Sequence, residues 1–418
     1  MSATASNMAA KKLQVGWYGL GSMGKPMAEN LQKYLAKNDQ SLIFNNRTMA
    51  SGDSLKDLGA SPASSFGELV TKSDVIFTMV NNDDTLKSLL QQAYDTKDLS
   101  GKIFVDCSTV HPDTTKAVTE EITKHKATYL AAPMFGGPAI AVPGKLVVAI
   151  GGPSSAVENV KPYFQDVIAR KVIVCKEEPQ SASMLKIAGN IITVNLMEAV
   201  SEAQVFAEQT GIGCGPMEEL ITEGFGPVAG GYSGRMTSGN YAPALDKRPG
   251  FGVSLSIKDA NYALAIAEEK GVKLPATEIA NKNMKAARDE HGEVLDCASM
   301  YGTLRKEAGL NFFNDKSRQS DDVGQHQNDT HVHPQQANIR GQRSSAARSL
   351  HPSIPEWFAR LVVIPRPAFS MVSRTAKATL PDTEMAKAMV KEAMARVSGG
   401  AVAGQGATVT VGSPRSDY

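Results

Sequence analysis

The residues best suited to chemistry fall into two groups. The first is Gly19-Leu20-Gly21-Ser22-Met23-Gly24, directly after one apolar run and ahead of an amphipathic stretch. In a GxGxxG loop the first glycine permits the tight turn, the second lets the backbone approach a pyrophosphate, and the third lets helix and strand pack closely. The helix start then presents free N–H groups and a positive dipole end to the phosphates. A glycine-rich structural turn is the bland reading, but the strand–loop–helix order favours a dinucleotide. An NAD site usually places Asp or Glu about 20 residues on, after the second strand. Here that position reads Phe44-Asn45-Asn46-Arg47-Thr48. No carboxylate is present to repel a 2′-phosphate, and Arg47 offers a planar donor fork. Asn46, Arg47 and Thr48 are therefore expected at the adenosine ribose, with NADP preferred over NAD. The second group is Lys186 with Asn190. Spacing of i, i+4 puts both on one helix face. On spacing alone, a solvated lysine on a mostly apolar helix fits as well as an acid–base group does.

These residues need elements to hold them. Candidate strands are residues 14–18, 42–45, 75–80, 103–106, 128–132, 146–150 and 172–175, with helix-like stretches at 24–37, 55–58, 85–92 and 113–125. Strands alternating with helices predict βαβ units and a mainly parallel sheet. After Cys175 the pattern changes. Residues 183–210 read as one long helix, with Leu185, Ala188, Ile192, Leu196, Val200, Ala203 and Ala207 at steps of three or four. Helices follow at 217–222, 254–270 and 276–291, with no strand signal up to Leu310. The expected architecture is an α/β Rossmann-type domain over 13–179, then a long helix leading into an all-helical domain over 180–310.

With these motifs on the page, the chain resembles the β-hydroxyacid dehydrogenase family, which includes 3-hydroxyisobutyrate dehydrogenase and shares its first domain type with 6-phosphogluconate dehydrogenase. The resemblance covers about residues 13–310. Five segments carry it: Gly19–Leu31; Asp106-Cys107-Ser108-Thr109-Val110-His111-Pro112; Ala132-Pro133-Met134-Phe135-Gly136-Gly137 with Gly144-Lys145-Leu146; Lys186-Ile187-Ala188-Gly189-Asn190; and Phe251 with Lys258-Asp259. It implies that Lys186 gives a proton to a substrate carbonyl or polarises the alcohol, and that Asn190 fixes the same oxygen. It implies that Ser108 and Thr109 touch substrate and nicotinamide ribose, that Val80 lies at the cofactor, and that Phe251 lines the substrate. Lys258 would reach the cofactor or the substrate anion, oriented by Asp259. Paired glycines suit a small anion nest, so Gly136 and Gly137 are expected on a substrate carboxylate. Ser108, Thr109 or Asp106 could equally cap the helix that Pro112 begins. Lys186, read in the first turn of the long helix, is expected to have a pKa lowered by dipole repulsion and desolvation.

The chain also departs from the family's pattern. Phe135 stands where the family has serine, and Gln180 and Ala182 stand where it has glycines. The implied reaction is hydride transfer between NAD(P) and a small 3-hydroxy acid, giving its semialdehyde or keto acid. An imine reductase, a 6-phosphogluconate dehydrogenase-like enzyme and a non-catalytic NADP-bound scaffold are the alternatives. The family also implies a dimer or tetramer.

Composition bounds the rest. The 418 residues carry 44 basic and 43 acidic side chains, so no general charge draws the chain to nucleic acid or an anionic membrane. No run reaches the roughly 18 apolar residues of a membrane helix. Cys107, Cys175, Cys214 and Cys297 show no CxxC spacing. That argues against a metal site and for a reducing compartment, expected to be the cytoplasm, with the mitochondrion as the less supported alternative. Residues 311–418 hold 13 Lys+Arg against 9 Asp+Glu, which leaves 31 against 34, a net −3, for the first 310. The stretch 315–349 is polar and nearly free of large apolar residues, so 311–418 is expected to be a low-complexity, disordered extension. A chain ended after about Phe313 should then stay intact.

Overall fold

The structure is a computed structural model and describes residues 12–96 and 98–318. The expectations for residues 319–418 lie outside the described residues.

Six short strands form the main sheet: β1 (Val15–Tyr18), β2 (Ile43–Asn45), β3 (Ser61–Pro62), β4 (Val75–Thr78), β5 (Ile103–Asp106) and β6 (Thr128–Ala131). Their spatial order is β3-β2-β1-β4-β5-β6, and every pairing is parallel. The strands read as continuous apolar runs because helices cover both faces. Trp17, Phe44 and Phe77 are buried on one face and Ile76, Phe104 and Tyr129 on the other. The order in which strands are added reverses between β1 and β4, which opens a crevice at their carboxyl ends. A smaller sheet follows: β7 (Met134–Phe135), β8 (Leu146–Ile150) and β9 (Ala169–Val174), with β7 antiparallel and β9 parallel to β8.

Around these sheets lie α1 (Gly24–Ala36), α2 (Asp53–Asp57), α3 (Phe66–Lys72), α4 (Asp83–Tyr94), α5 (Pro112–Lys124), α6 (Pro138–Ala141) and α7 (Ser154–Phe164). The helical region consists of α8 (Gln180–Thr210), α9 (Cys214–Thr237), α10 (Val253–Glu269), α11 (Pro275–His291) and α12 (Met300–Glu307). Helix α8 joins the two regions. Ala182 and Leu185 near its start pack in the sheet's core, whereas Val194, Met197 and Val200 pack with the later helices.

Several expectations need correction. Strands β3 and β7 are two residues each, too short to show a period. Helices α3, α6, α7 and α12 are additions to the expected set, each being short or polar in composition. The helix expected at 217–222 is one part of α9, which continues past a break at Gly226, where φ is 87°, followed by Pro227. Helix α8 begins at Gln180, three residues earlier than read, because Gln and Ala are far better helix formers than the glycines of the family pattern. Residues 311–318 are part of the folded unit. Phe312 is buried in the helical core, Tyr241 donates to its carbonyl, and the Arg318 guanidinium donates to the carbonyls of His291 and Val294. A chain ended after Phe313 would lose the Arg318 contacts.

Candidate active site

The phosphate loop sits at the crevice between β1 and β4. Gly19 has φ +99°, and a Cβ there would stand 2.1 Å from the Met79 carbonyl oxygen. A Cβ on Gly24 would stand 2.0 Å from the Gly19 oxygen. Both positions are closed by backbone. Around Gly21, by contrast, a Cβ would meet nothing within 4 Å. One wall of the loop is thus open where a pyrophosphate would rest, and the residues fit a dinucleotide. Met23 is the N-cap residue of α1. Leu20 N–H donates to Asn46 Oδ1 at 2.9 Å, which ties the loop to the end of β2, and Asn46 donates to the Thr48 carbonyl. Arg47 is exposed and close enough to Tyr18 to act on its titration.

A recess of about 310 Å³ borders this loop, lined by Gly21, Ser22, Lys25, Ser51 and Arg248. Sequence reasoning missed Arg248. It lies in an exposed loop of the helical region, and no local pattern signals that this loop returns to β1. A larger cavity, about 580 Å³, lies elsewhere, between Glu208, Glu218, Tyr301 and Arg305. None of the motif residues lines it, so its size does not bear on the chemistry.

The second group converges with residues from β5, α8 and α10. Lys186 Nζ donates to Asn190 Oδ1 at 3.0 Å, and Asn190 Nδ2 donates to Asp259 Oδ2 at 2.6 Å. Lys258 pairs with Asp259 Oδ1 at 2.8 Å and donates to the Thr109 carbonyl at 2.6 Å. Its ammonium also lies 4.7 Å from the Tyr262 ring centre. Tyr262 in turn donates to Asp83 Oδ2, and His111 N–H donates to Asp83 Oδ1. One chain of polar contacts therefore runs from α8 through α10 to the loops after β4 and β5.

Burial sets the electrostatics of Lys186. Its side chain keeps some solvent contact, but the surrounding protein desolvates the ammonium. That burial, helped by Lys258 and opposed by Asp259, lowers its pKa to about 8. The expected dipole contribution is a correction. Lys186 is the seventh residue of α8, in the second turn, and the dipole's influence fades beyond the first. Burial pushes the Asp259 carboxyl up, against the pull of Lys258 and Lys186.

Phe135 is accommodated by Gly189. A Cβ on Gly189 would stand 2.3 Å from the Phe135 ring, and Lys186 Nζ lies 4.7 Å from the ring centre. The bulky replacement thus forms part of the lysine's wall. Beyond it, the amides of Gly136 and Gly137 have no hydrogen-bond partner among the described residues. Ser108 differs from expectation. Its hydroxyl donates to Asp106 Oδ1 at 2.6 Å and accepts from Val80 N–H at 2.8 Å, and its amide also turns to Asp106. Buried and with both donors engaged, Ser108 holds the β4 and β5 loops together and has no proton to offer a carboxylate. The helix after it is capped by His111, whose Nδ1 accepts from Asp113 N–H, rather than by Ser108, Thr109 or Asp106. Thr109 is partly exposed beside Lys258. Phe251 donates its amide to Asp296 and packs partly against the helical core.

Comparison with known proteins agrees with this geometry. Residues 14–176 match the profile described as the NAD binding domain of 6-phosphogluconate dehydrogenase. Residues 181–304 match the NAD-binding region of NADP-dependent 3-hydroxyisobutyrate dehydrogenase. The 2-hydroxy-3-oxopropionate reductase of Escherichia coli is 29% identical over 70% of this chain and 97% of its own. An NADH-dependent oxidoreductase of Aspergillus ustus is 28% identical over 69% of this chain and 98% of its own. In fold, the 3-hydroxyisobutyrate dehydrogenase of Salmonella typhimurium superposes with a TM-score of 0.62 at 22% identity, covering 69% of this chain and 99% of its own. The class is a nicotinamide-dependent oxidoreductase acting on CH–OH groups. Within that class, the chain belongs to the β-hydroxyacid dehydrogenase family.

Proposed function

We propose that this enzyme interconverts a small 3-hydroxy acid and its semialdehyde or keto acid, with Lys186 as the proton-transferring group and NADP as the preferred cofactor. The observation that carries the reading is the Lys186–Asn190–Asp259–Lys258 chain with a lysine pKa near 8. A bound nicotinamide would supply or accept the hydride. Gly19–Gly24 and Asn46 would hold that cofactor, with Val80 and Thr109 at its nicotinamide end. Lys186 gives its proton to the carbonyl oxygen in reduction and takes one from the alcohol in oxidation. Asn190 accepts from Lys186 and is itself fixed by Asp259, so the acid is aimed before substrate arrives. Lys258 is spent on Thr109 and Asp259, which makes it a positioning group more than a free cation. Gly136 and Gly137 offer amides to the substrate carboxylate, and Phe251 borders the same side.

Arg47 and the absence of a carboxylate at 45–48 support the NADP preference, with Arg47 and Thr48 facing the 2′-phosphate. The relative from Aspergillus ustus is named for NADH, so the preference is a property to measure on this chain. Seven exposed large apolar residues between Met184 and Val228 support a homo-oligomer built on α8 and α9. No described helix is long and apolar enough to cross a membrane. Buried Cys107 and Cys297 are free thiols, which supports a reducing compartment such as the cytoplasm. The test is a panel of semialdehydes, keto acids and their hydroxy acids, assayed with NADPH and NADH. Turnover of a hydroxy-acid pair with higher kcat/KM for NADPH is expected. Tight cofactor binding with no turnover of any panel member would favour the scaffold reading instead.

A further inference from the structure

Arg235, on α9, has a setting that its surroundings alone do not use up. One arm of the guanidinium is fixed: Nη1 lies 3.3 Å from Asp296 Oδ1. Asp296 is 1% exposed and is itself held by the amides of Phe251 and Ala298. The Tyr232 ring lies 5.7 Å below the guanidinium carbon. The other arm crosses to the sheet region. A Cβ on Gly137 would stand 3.3 Å from Arg235 Nη2. Neither Nη2 nor Nε has a hydrogen-bond partner among the described residues, although the side chain is only 28% exposed. Both atoms keep contact with solvent, so an anion entering here would replace water on the open arm. A planar fork anchored on one side and open on the other is well suited to a carboxylate.

The open arm does not stand alone. It ends beside Gly137, whose amide, like that of Gly136, has no hydrogen-bond partner among the described residues, and Phe135, whose ring walls Lys186, directly precedes this pair in the chain. The substitution of Phe135 for a hydroxyl-bearing residue removes one neutral donor from this place. Arg235 provides a charged donor from the opposite region. We infer that Arg235 is the specificity-determining residue for the substrate's anionic group, pairing its free arm with a carboxylate held on Gly136 and Gly137. This rests on the reading of the site as a hydroxy-acid dehydrogenase and deepens it. The site should select short oxo and hydroxy carboxylates and discriminate against uncharged carbonyl compounds of the same shape.

The experiment compares the wild-type enzyme with Arg235→Gln and Arg235→Lys, using the best carbonyl acid from the panel and its methyl ester. Arg235→Gln keeps a donor for Asp296, and melting temperatures within a few degrees of wild type check that it folds. The expected result is a KM for the acid raised by about 30-fold or more, as fits loss of a charge-assisted hydrogen bond, with kcat within about threefold. Lysine should recover part of the loss, and kcat/KM for the ester should not change. Equal losses on acid and ester would overturn the proposal, since Arg235 would then act through Asp296 on the fold. An unchanged KM for the acid would overturn it too. If the wild type turns over no carbonyl acid, the functional reading fails. Calorimetric titration of the NADP-loaded protein with malonate then decides: weaker binding by Arg235→Gln supports the carboxylate site, and equal binding or none by either form refutes it.

Discussion

The two regions of this molecule contribute to the site in different ways. The sheet region supplies backbone: an open wall at Gly21, amides at Gly136 and Gly137, and the carbonyl of Thr109. The helical region supplies charge: Lys186, Arg235, Lys258 and Asp259, with Asn190 between them. The difference follows from geometry. Parallel strands end together in loops whose main-chain groups face the crevice. Helix interiors satisfy their own main chain and offer only side chains, spaced three and four residues apart.

The regions also differ in how they hide their surfaces. Among the described residues, ten of the fourteen exposed large apolar side chains lie in the helical region, which also buries Glu198, Gln204, Ser256, Asn281 and Ser299 with polar atoms lacking partners there. The sheet region is closer to a self-contained core. The helical region leaves more apolar side chains exposed and more buried polar atoms without partners among the described residues.

The sharpest test of this division is Lys186→Ala. It should lower kcat by about 10³-fold or more, while cofactor affinity measured by fluorescence stays within about threefold. A loss of cofactor binding would mean that charge and backbone roles are not separable. The converse test is Gly21→Ala. Its Cβ meets nothing in the protein, so the melting temperature should hold, while cofactor dissociation constants rise about tenfold or more because a methyl group occupies the phosphate wall. Unchanged affinity would place the pyrophosphate elsewhere.

The pH dependence separates the two directions of reaction. Reduction needs the Lys186 ammonium and should fall about tenfold per pH unit above about 8; oxidation needs the neutral amine and should rise toward that pH. Profiles that do not oppose each other would remove Lys186 as the proton carrier. In the helical region, a chain ended at Leu310 should melt several degrees below one ended at Arg318, because Phe312 and the Arg318 contacts are lost. Equal melting would return residues 311–318 to the extension.

The smallest effect is expected at Glu198. Burial raises its pKa from 4.5 to about 7, opposed by Asn283 and assisted by Glu202 and Glu307. The folded state therefore holds a proton that the unfolded state releases, and stability falls as pH rises from 4.5 through 7. Glu198→Gln should raise the melting temperature by a few degrees at pH 8 and leave it unchanged at pH 5. A gain at both values would point to packing instead.

Much of this was legible in the chain. The order of strand, glycine loop and helix marks β1, the phosphate loop and α1, because these are contacts between near neighbours. Lys186 and Asn190 share a face because four residues make about one helical turn. The limits show at Ser108 and Arg248. Whether the Ser108 proton goes to substrate or to Asp106 depends on how the β4 and β5 loops meet. Arg248 reaches the phosphate loop from more than two hundred positions away.

The amino-acid sequence by itself determined the two-region architecture and the residues able to do chemistry, since periodicity and turn chemistry are local. Only the tertiary structure decided which of those residues are already engaged. Lys258 is committed to Thr109 and Asp259, Ser108 is closed onto Asp106, and Arg235 keeps one arm open across the boundary. The contacts that fix these choices, Lys258 to Thr109, Val80 to Ser108 and Arg235 to Asp296, join residues far apart in sequence, and no local pattern encodes them.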